Sequence, residues 1–104
     1  MRDVVILGST GSIGVQALEV IASNPSLFRV VGISSAGSNP ELVIAQAKQF
    51  KVSHVGVVNN ADVVRTALPG VTVIDGANAS TEIAAINCDV VVNGITGSIG
   101  LGPT

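Results

Sequence analysis

Seven residues near the start of the chain, Gly8-Ser9-Thr10-Gly11-Ser12-Ile13-Gly14, carry its clearest chemical signal. They follow an apolar run, Val4-Val5-Ile6-Leu7, and open a segment with helical period. A strand that turns tightly into a helix leaves the first helical N–H groups without partners, and the helix dipole adds positive potential there. Such a place suits an anion, phosphate above all. Gly8 would permit the turn, Gly11 the approach of a pyrophosphate, and Gly14 close packing of helix on strand. The spacing G-x-x-G-x-x-G differs by one residue from the commonest dinucleotide fingerprint. A mononucleotide loop fits worse, because no Gly-Lys-Ser/Thr follows to bring a lysine to β- and γ-phosphates. Ordinary turn glycines are the competing reading, but three at three-residue spacing exceed what a turn needs.

A second segment, Ser34-Ser35-Ala36-Gly37-Ser38-Asn39, bears on which dinucleotide would fit. NAD sites usually place Asp or Glu at the end of the second strand to hold the ribose 2′-hydroxyl. Here there is none, and hydroxyls, an amide and helix-start N–H groups can accept a 2′-phosphate. That favours NADP, although no arginine clamp is present; a capped loop without ligand is the alternative. A third glycine-rich stretch, residues 94–102, echoes the first, since Thr10-Gly11-Ser12-Ile13-Gly14 recurs as Thr96-Gly97-Ser98-Ile99-Gly100. Gly94, Ile95 and Thr96 could face the nicotinamide side, or the glycines could simply open another helix. His54 stands without an Asp, Glu or Cys nearby, and Cys88 reads as a small buried hydrophobe. Asp3 and Asp89 read as solvated turn residues ahead of strands, and Asp75-Gly76 as a turn. No carboxylate pair, metal-ligand cluster or Ser/His/Asp set emerges. The chain has a place for a cofactor and no visible chemistry of its own.

The elements that must position these residues follow from composition and period. A length of 104 residues fits one domain, and 47% hydrophobic residues exclude disorder. Charged residues reach 12%, against about 25% in an average soluble protein; the shortfall implies surface covered by more chain or by a partner. A net charge of −2 without a basic cluster disfavours nucleic acid and anionic membrane as partners. The single cysteine cannot form an internal disulfide. No apolar stretch approaches the ~18 residues of a membrane span, and the first is too short for a signal-peptide core. A cytoplasmic address is expected.

Twelve of the eighteen valines gather in short runs at residues 4–7, 30–33, 55–58, 71–74 and 90–92. None alternates apolar with polar, so each predicts a strand buried on both faces, as in a parallel sheet beneath helices. Ile13, Ala17, Val20 and Ile21 make one helical stripe, ending near Asn24-Pro25. Val43, Ala47 and Phe50 make a second, with Ser38 and Glu41 spaced for a capping box and Pro40 suited to the first turn. Asn60 can cap a helix over 61–68 with Asp62 in its first turn, and a fourth helix is expected over 80–86. The order βαβαβαβαβ with right-handed crossovers predicts an α/β, Rossmann-like doubly wound, mainly parallel five-stranded sheet with helices on both faces. The expected strand order is 71–74, 55–58, 30–34, 4–7, 90–93, reversing between the last two, where ligands bind in such sheets.

The glycine loop, then Asn24-Pro25, Phe28-Arg29-Val30-Val31 and the closing Gly97…Gly100-Leu101…Pro103-Thr104 resemble the start of the 1-deoxy-D-xylulose 5-phosphate reductoisomerase family. The resemblance spans essentially the whole chain and implies that residues 1–104 are the NADPH-binding domain of a longer enzyme, a fragment without its catalytic and C-terminal domains. It implies rearrangement and reduction of 1-deoxy-D-xylulose 5-phosphate to 2-C-methyl-D-erythritol 4-phosphate, on the methylerythritol phosphate route to isoprenoids. It also implies NADPH, a divalent metal (Mg or Mn) bound outside this stretch, a phosphosugar substrate and a homodimer. Carried over by position, Thr10, Gly11, Ser12 and Ile13 would hold the cofactor's phosphates, in a loop shaped by Gly8 and Gly14. Ala36, Gly37, Ser38 and Asn39 would surround the adenosine 2′-phosphate, with serine at 38 where many members have lysine. Other NADP-dependent reductases, of the semialdehyde-dehydrogenase or dihydrodipicolinate-reductase type, begin with the same strand, loop and helix. A nucleotide-sensing module without catalysis is the remaining alternative.

Overall fold

The computed structural model describes residues 2–36, 39–76, 78–86, 88–93 and 98–101. Strands and helices alternate as β1 (Arg2–Leu7), α1 (Ser12–Ser23), β2 (Phe28–Ser35), α2 (Pro40–Phe50), β3 (His54–Val57), α3 (Ala61–Ala67), β4 (Thr72–Asp75), α4 (Ala79–Ala84) and β5 (Val90–Asn93). A further strand, β6 (Ser98–Leu101), follows. The sheet order is β4-β3-β2-β1-β5-β6. Its first five strands are parallel in the expected order, and the reversal falls between β1 and β5. The added β6 runs antiparallel to β5 at the edge. Its Ser-Ile-Gly-Leu sequence, short and interrupted by glycine, is a weak strand signal and reads as loop in the sequence alone.

The valine runs are buried because each face of the sheet carries helix. Steps from β1 through β4 all go one way, so α1, α2 and α3 share one face; α4 returns across the other to bring the chain to β5. Val4, Ile6, Val30, Ile33, Val55 and Val57 meet Leu18, Ile21, Val43, Ala47 and Val64 on the first face. Val5 and Leu7 meet Ile83 and Cys88 on the second. There α4 lies close, and a Cβ on Gly56 would stand 2.7 Å from Ile83 Cγ1 and 3.0 Å from the Ala79 carbonyl oxygen.

Local expectations needed correction in four places. In α1 the buried residues are Gly14, Leu18 and Ile21, while Ile13 and Val20 are 42% and 59% exposed. The stripe is rotated because Gly14 must face the preceding turn, and Leu18 and Ile21 follow it in helical phase. The cap of α2 is Asn39, whose Oδ1 accepts the Leu42 N–H at 3.4 Å, with Pro40 as first helical residue; Ser38 lies outside the described residues. Asn60 does occupy the α3 N-cap position, in left-handed backbone at φ 61°, but without a side-chain cap bond. Asp3 and Asp89 are not merely solvated. The Asp3 N–H donates to Asp89 Oδ2 at 2.8 Å, the Asp89 N–H donates to the Asp3 carbonyl at 2.9 Å, and Arg29 lies 2.7 Å from the Asp3 carboxylate. The two Asp3–Asp89 bonds pin β1 to the start of β5, and the ion pair ties β1 to β2. No helix among the described residues is long and apolar enough to cross a membrane.

Candidate functional site

At its C-terminal end β1 pairs Leu7 with Ser34 of β2 on one side and Asn93 of β5 on the other. The chain then bends over the end of β2. Gly8 takes φ 74°, a conformation side chains resist, and the N–H groups of Gly8 and Ser9 both donate to the Ser34 carbonyl at 2.9 Å. The Gly11 N–H closes the turn on the Gly8 carbonyl at 3.1 Å. Gly11 is the N-cap of α1, in extended backbone with no side-chain cap, and the first turn holds no acidic residue. The opening amides of α1 are thus left for an external acceptor, with no carboxylate to compete for them or to repel an anion.

Glycine has different reasons at its other two positions. A Cβ on Gly14 would run into the Gly8 carbonyl oxygen and stand 2.7 Å from Ser9 Cα, so helix–turn packing requires the bare residue. A Cβ on Gly11 would meet only the Gly8 oxygen, at an ordinary 3.5 Å. Among the described residues nothing demands glycine there. Ile13 presents an exposed side chain beside them.

The loop is wired to its neighbours. Thr10 Oγ1 and Ser35 Oγ share a hydrogen bond of 2.9 Å, and Gln46 Nε2 of α2 donates to the buried Ser9 carbonyl at 2.8 Å. Ala36, the next residue after β2, is exposed, and its carbonyl accepts both the N–H and the side-chain Nδ2 of Asn59, at 3.0 and 3.1 Å. The described part of the site therefore brings Gly8, Thr10, Gly11, Ser12, Ile13 and Gly14 onto one turn. The Thr10–Ser35 bond sets Ala36 beside that turn, and Asn39 heads α2. Gly37 and Ser38 lie outside the described residues, as do Gly94, Ile95 and Thr96. Sequence reading missed Gln46, Asn59 and the role of Ser35. Only Gln46 left a signal, a polar residue beside Val43 and Ala47 on the buried face of α2.

Elsewhere the chemistry is sparse. Ser53 Oγ bonds His54 Nδ1 at 2.8 Å at the start of β3. Arg65 sits between Asp62 at 3.1 Å and Asp75 at 3.9 Å on the exposed side of α3. Cys88 is buried, and burial, with the neighbouring Asp89 charge, pushes its thiol above the usual range. Among the described residues no three His, Cys, Asp or Glu side chains gather to hold a metal. An apolar cleft bordered by Ile21, Phe28 and Phe50 lies at the start of β2, the end of the sheet opposite the glycine loop.

The family model for 1-deoxy-D-xylulose 5-phosphate reductoisomerase matches residues 4–104. The curated reductoisomerase of Corynebacterium efficiens is 51% identical over 97% of this chain and 28% of its own length. That of Paenarthrobacter aurescens is 46% identical over 99% of this chain and 29% of its own. The chain thus spans less than a third of the length of these relatives. A solved structure described as 1-deoxy-D-xylulose 5-phosphate reductoisomerase from Zymomonas mobilis in complex with NADPH superimposes with a TM-score of 0.78. It is 27% identical and covers 85% of this chain and 24% of that one.

Proposed function

The chain belongs to the 1-deoxy-D-xylulose 5-phosphate reductoisomerase family, and from that premise we propose that residues 1–104 form its NADPH-binding domain. The observation that carries the proposal is the turn from β1 into α1, uncapped, free of acid, and open on the Gly11 side. Thr10, Gly11, Ser12 and Ile13 hold the diphosphate, the Gly11 N–H closing the turn on Gly8 and its missing side chain leaving room for the phosphates, and Gly8 and Gly14 give the turn its shape. Ala36, Gly37, Ser38 and Asn39 surround the adenosine 2′-phosphate. Without a carboxylate at the end of β2, that phosphate meets no repulsion. NADPH, when bound, supplies the hydride that reduces the aldehyde intermediate; this chain's residues bind and orient it.

The whole enzyme then converts 1-deoxy-D-xylulose 5-phosphate to 2-C-methyl-D-erythritol 4-phosphate in the cytoplasm as a homodimer. Its Mg or Mn finds no ligand cluster among the described residues, so no step through the metal is assigned to this chain. Titration with NADPH and NADH, by fluorescence or calorimetry, tests the cofactor role. NADPH is expected to bind more tightly than NADH, and Gly11→Val to weaken NADPH by about ten-fold or more, a change of ~1.4 kcal/mol. Failure of both coenzymes to bind at millimolar concentration, or wild-type affinity in Gly11→Val, would sink the reading.

A further inference from the structure

Gln46 is 6% exposed, and its Nε2 donates to the Ser9 carbonyl at 2.8 Å. A carbonyl only accepts, so the nitrogen of the amide must face it. The other end of Ser9 is held too, its N–H donating to the Ser34 carbonyl at 2.9 Å. In a trans peptide the C=O and the following N–H point in opposite directions. Drawing the Ser9 oxygen inward to α2 therefore turns the Thr10 N–H outward, and no acceptor among the described residues meets that N–H. The arrangement is not the one packing alone would choose. Gln46 Oε1 and Ser9 Oγ are both buried with no hydrogen-bond partner among the described residues. A methionine would fill the same volume and remove the unmatched Oε1, but it would also strip the buried Ser9 carbonyl of its donor.

We propose that Gln46 is a positioning residue for the coenzyme: by anchoring the Ser9 carbonyl it aims the Thr10 amide at the diphosphate. The proposal rests on the NADPH reading above. It assigns Gln46 to the diphosphate half of the ligand and not to the 2′-phosphate half, although α2 also carries Asn39. The experiment uses the full-length protein, as wild type, Gln46→Met and Gln46→Glu, titrated with NADPH, with ADP-ribose (diphosphate, no 2′-phosphate) and with adenosine 2′-monophosphate (no diphosphate).

Gln46→Met is expected to weaken NADPH and ADP-ribose by about ten-fold, a change of ~1.4 kcal/mol, and to leave adenosine 2′-monophosphate within about two-fold. Its melting temperature is expected to fall modestly, because the Ser9 carbonyl loses its donor, with the protein still folded at the titration temperature. Gln46→Glu sets a carboxylate against the Ser9 carbonyl, turns the peptide over and loses more. Wild-type affinity for ADP-ribose in Gln46→Met overturns the proposal. So does equal weakening of ADP-ribose and adenosine 2′-monophosphate, which would mark a general structural role. A wild-type protein that binds neither NADPH nor ADP-ribose instead brings down the cofactor reading, and this inference with it.

Discussion

Gly11 and Gly14 stand three residues apart in one turn and answer to different constraints. Gly14→Ala forces a methyl against the backbone of Gly8 and Ser9, and overpacking of that kind costs about 1–3 kcal/mol. Gly11→Ala meets only ordinary contact, so its stability is expected to stay within about 1 kcal/mol of wild type, as for other N-cap exchanges. Urea unfolding is expected to separate the two, and coenzyme titration to single out Gly11→Ala, expected to keep the fold and lose affinity for NADPH. Cys88 offers a second check at this scale. Burial raises its thiol, so the folded protein is expected to react slowly with iodoacetamide at pH 8 and quickly once unfolded. The sign for stability follows. The raised thiol favours the folded state fully below the ordinary thiol pKa of about 8.5, and that contribution is lost as pH rises through the folded value. Denaturation midpoints measured up the alkaline range would reveal the decline.

Among the elements, α4 carries the most per residue. It is six residues long, yet on its face of the sheet Ile83 is the fully buried anchor against Val5 and Leu7. Ile83→Ala is expected to cost about 2–5 kcal/mol, read as a lowered urea midpoint. Asn39→Ala removes the cap of α2 and is expected to cost about 1 kcal/mol. Hydrogen exchange at Leu42 would report the fraying directly. The elements were legible in sequence to the extent that they depend on local pattern. Unbroken valine runs mark doubly covered strands, and Pro40 marks the start of α2. What eluded reading was phase and capping. The apolar residues of α1 fit two stripes, and only the need of Gly14 to face the turn selects Leu18 and Ile21 over Ile13 and Val20. Ser38 and Asn39 are adjacent capping residues, and the three-dimensional path decides between them.

At the scale of the molecule, the sheet order was legible because crossover handedness leaves few topologies, and the glycine loop stood out by spacing. The ties that stiffen the site were not, since they join residues distant in sequence: Thr10 to Ser35, Ser9 to Gln46 and Asn59 to Ala36. No local pattern specifies such partners; only the fold brings them together. The coenzyme proposed to sit across these ties would bind the native state alone. At a hundred times its dissociation constant it is expected to add about 2.7 kcal/mol of stability, visible as a rise in melting temperature with NADPH. The central position of β1 has one more consequence. Its partner on one side, β2, leaves the ribosome soon after it, whereas Val90, which pairs with Val4, is 86 residues downstream. At ~5–20 residues per second, translation takes on the order of ten seconds to deliver it. Until then one flank of β1 offers unpaired peptide groups beside bare valines, a template for mispairing with other nascent chains. The end of the sheet proposed to seat the coenzyme, where β5 joins β1, is completed last.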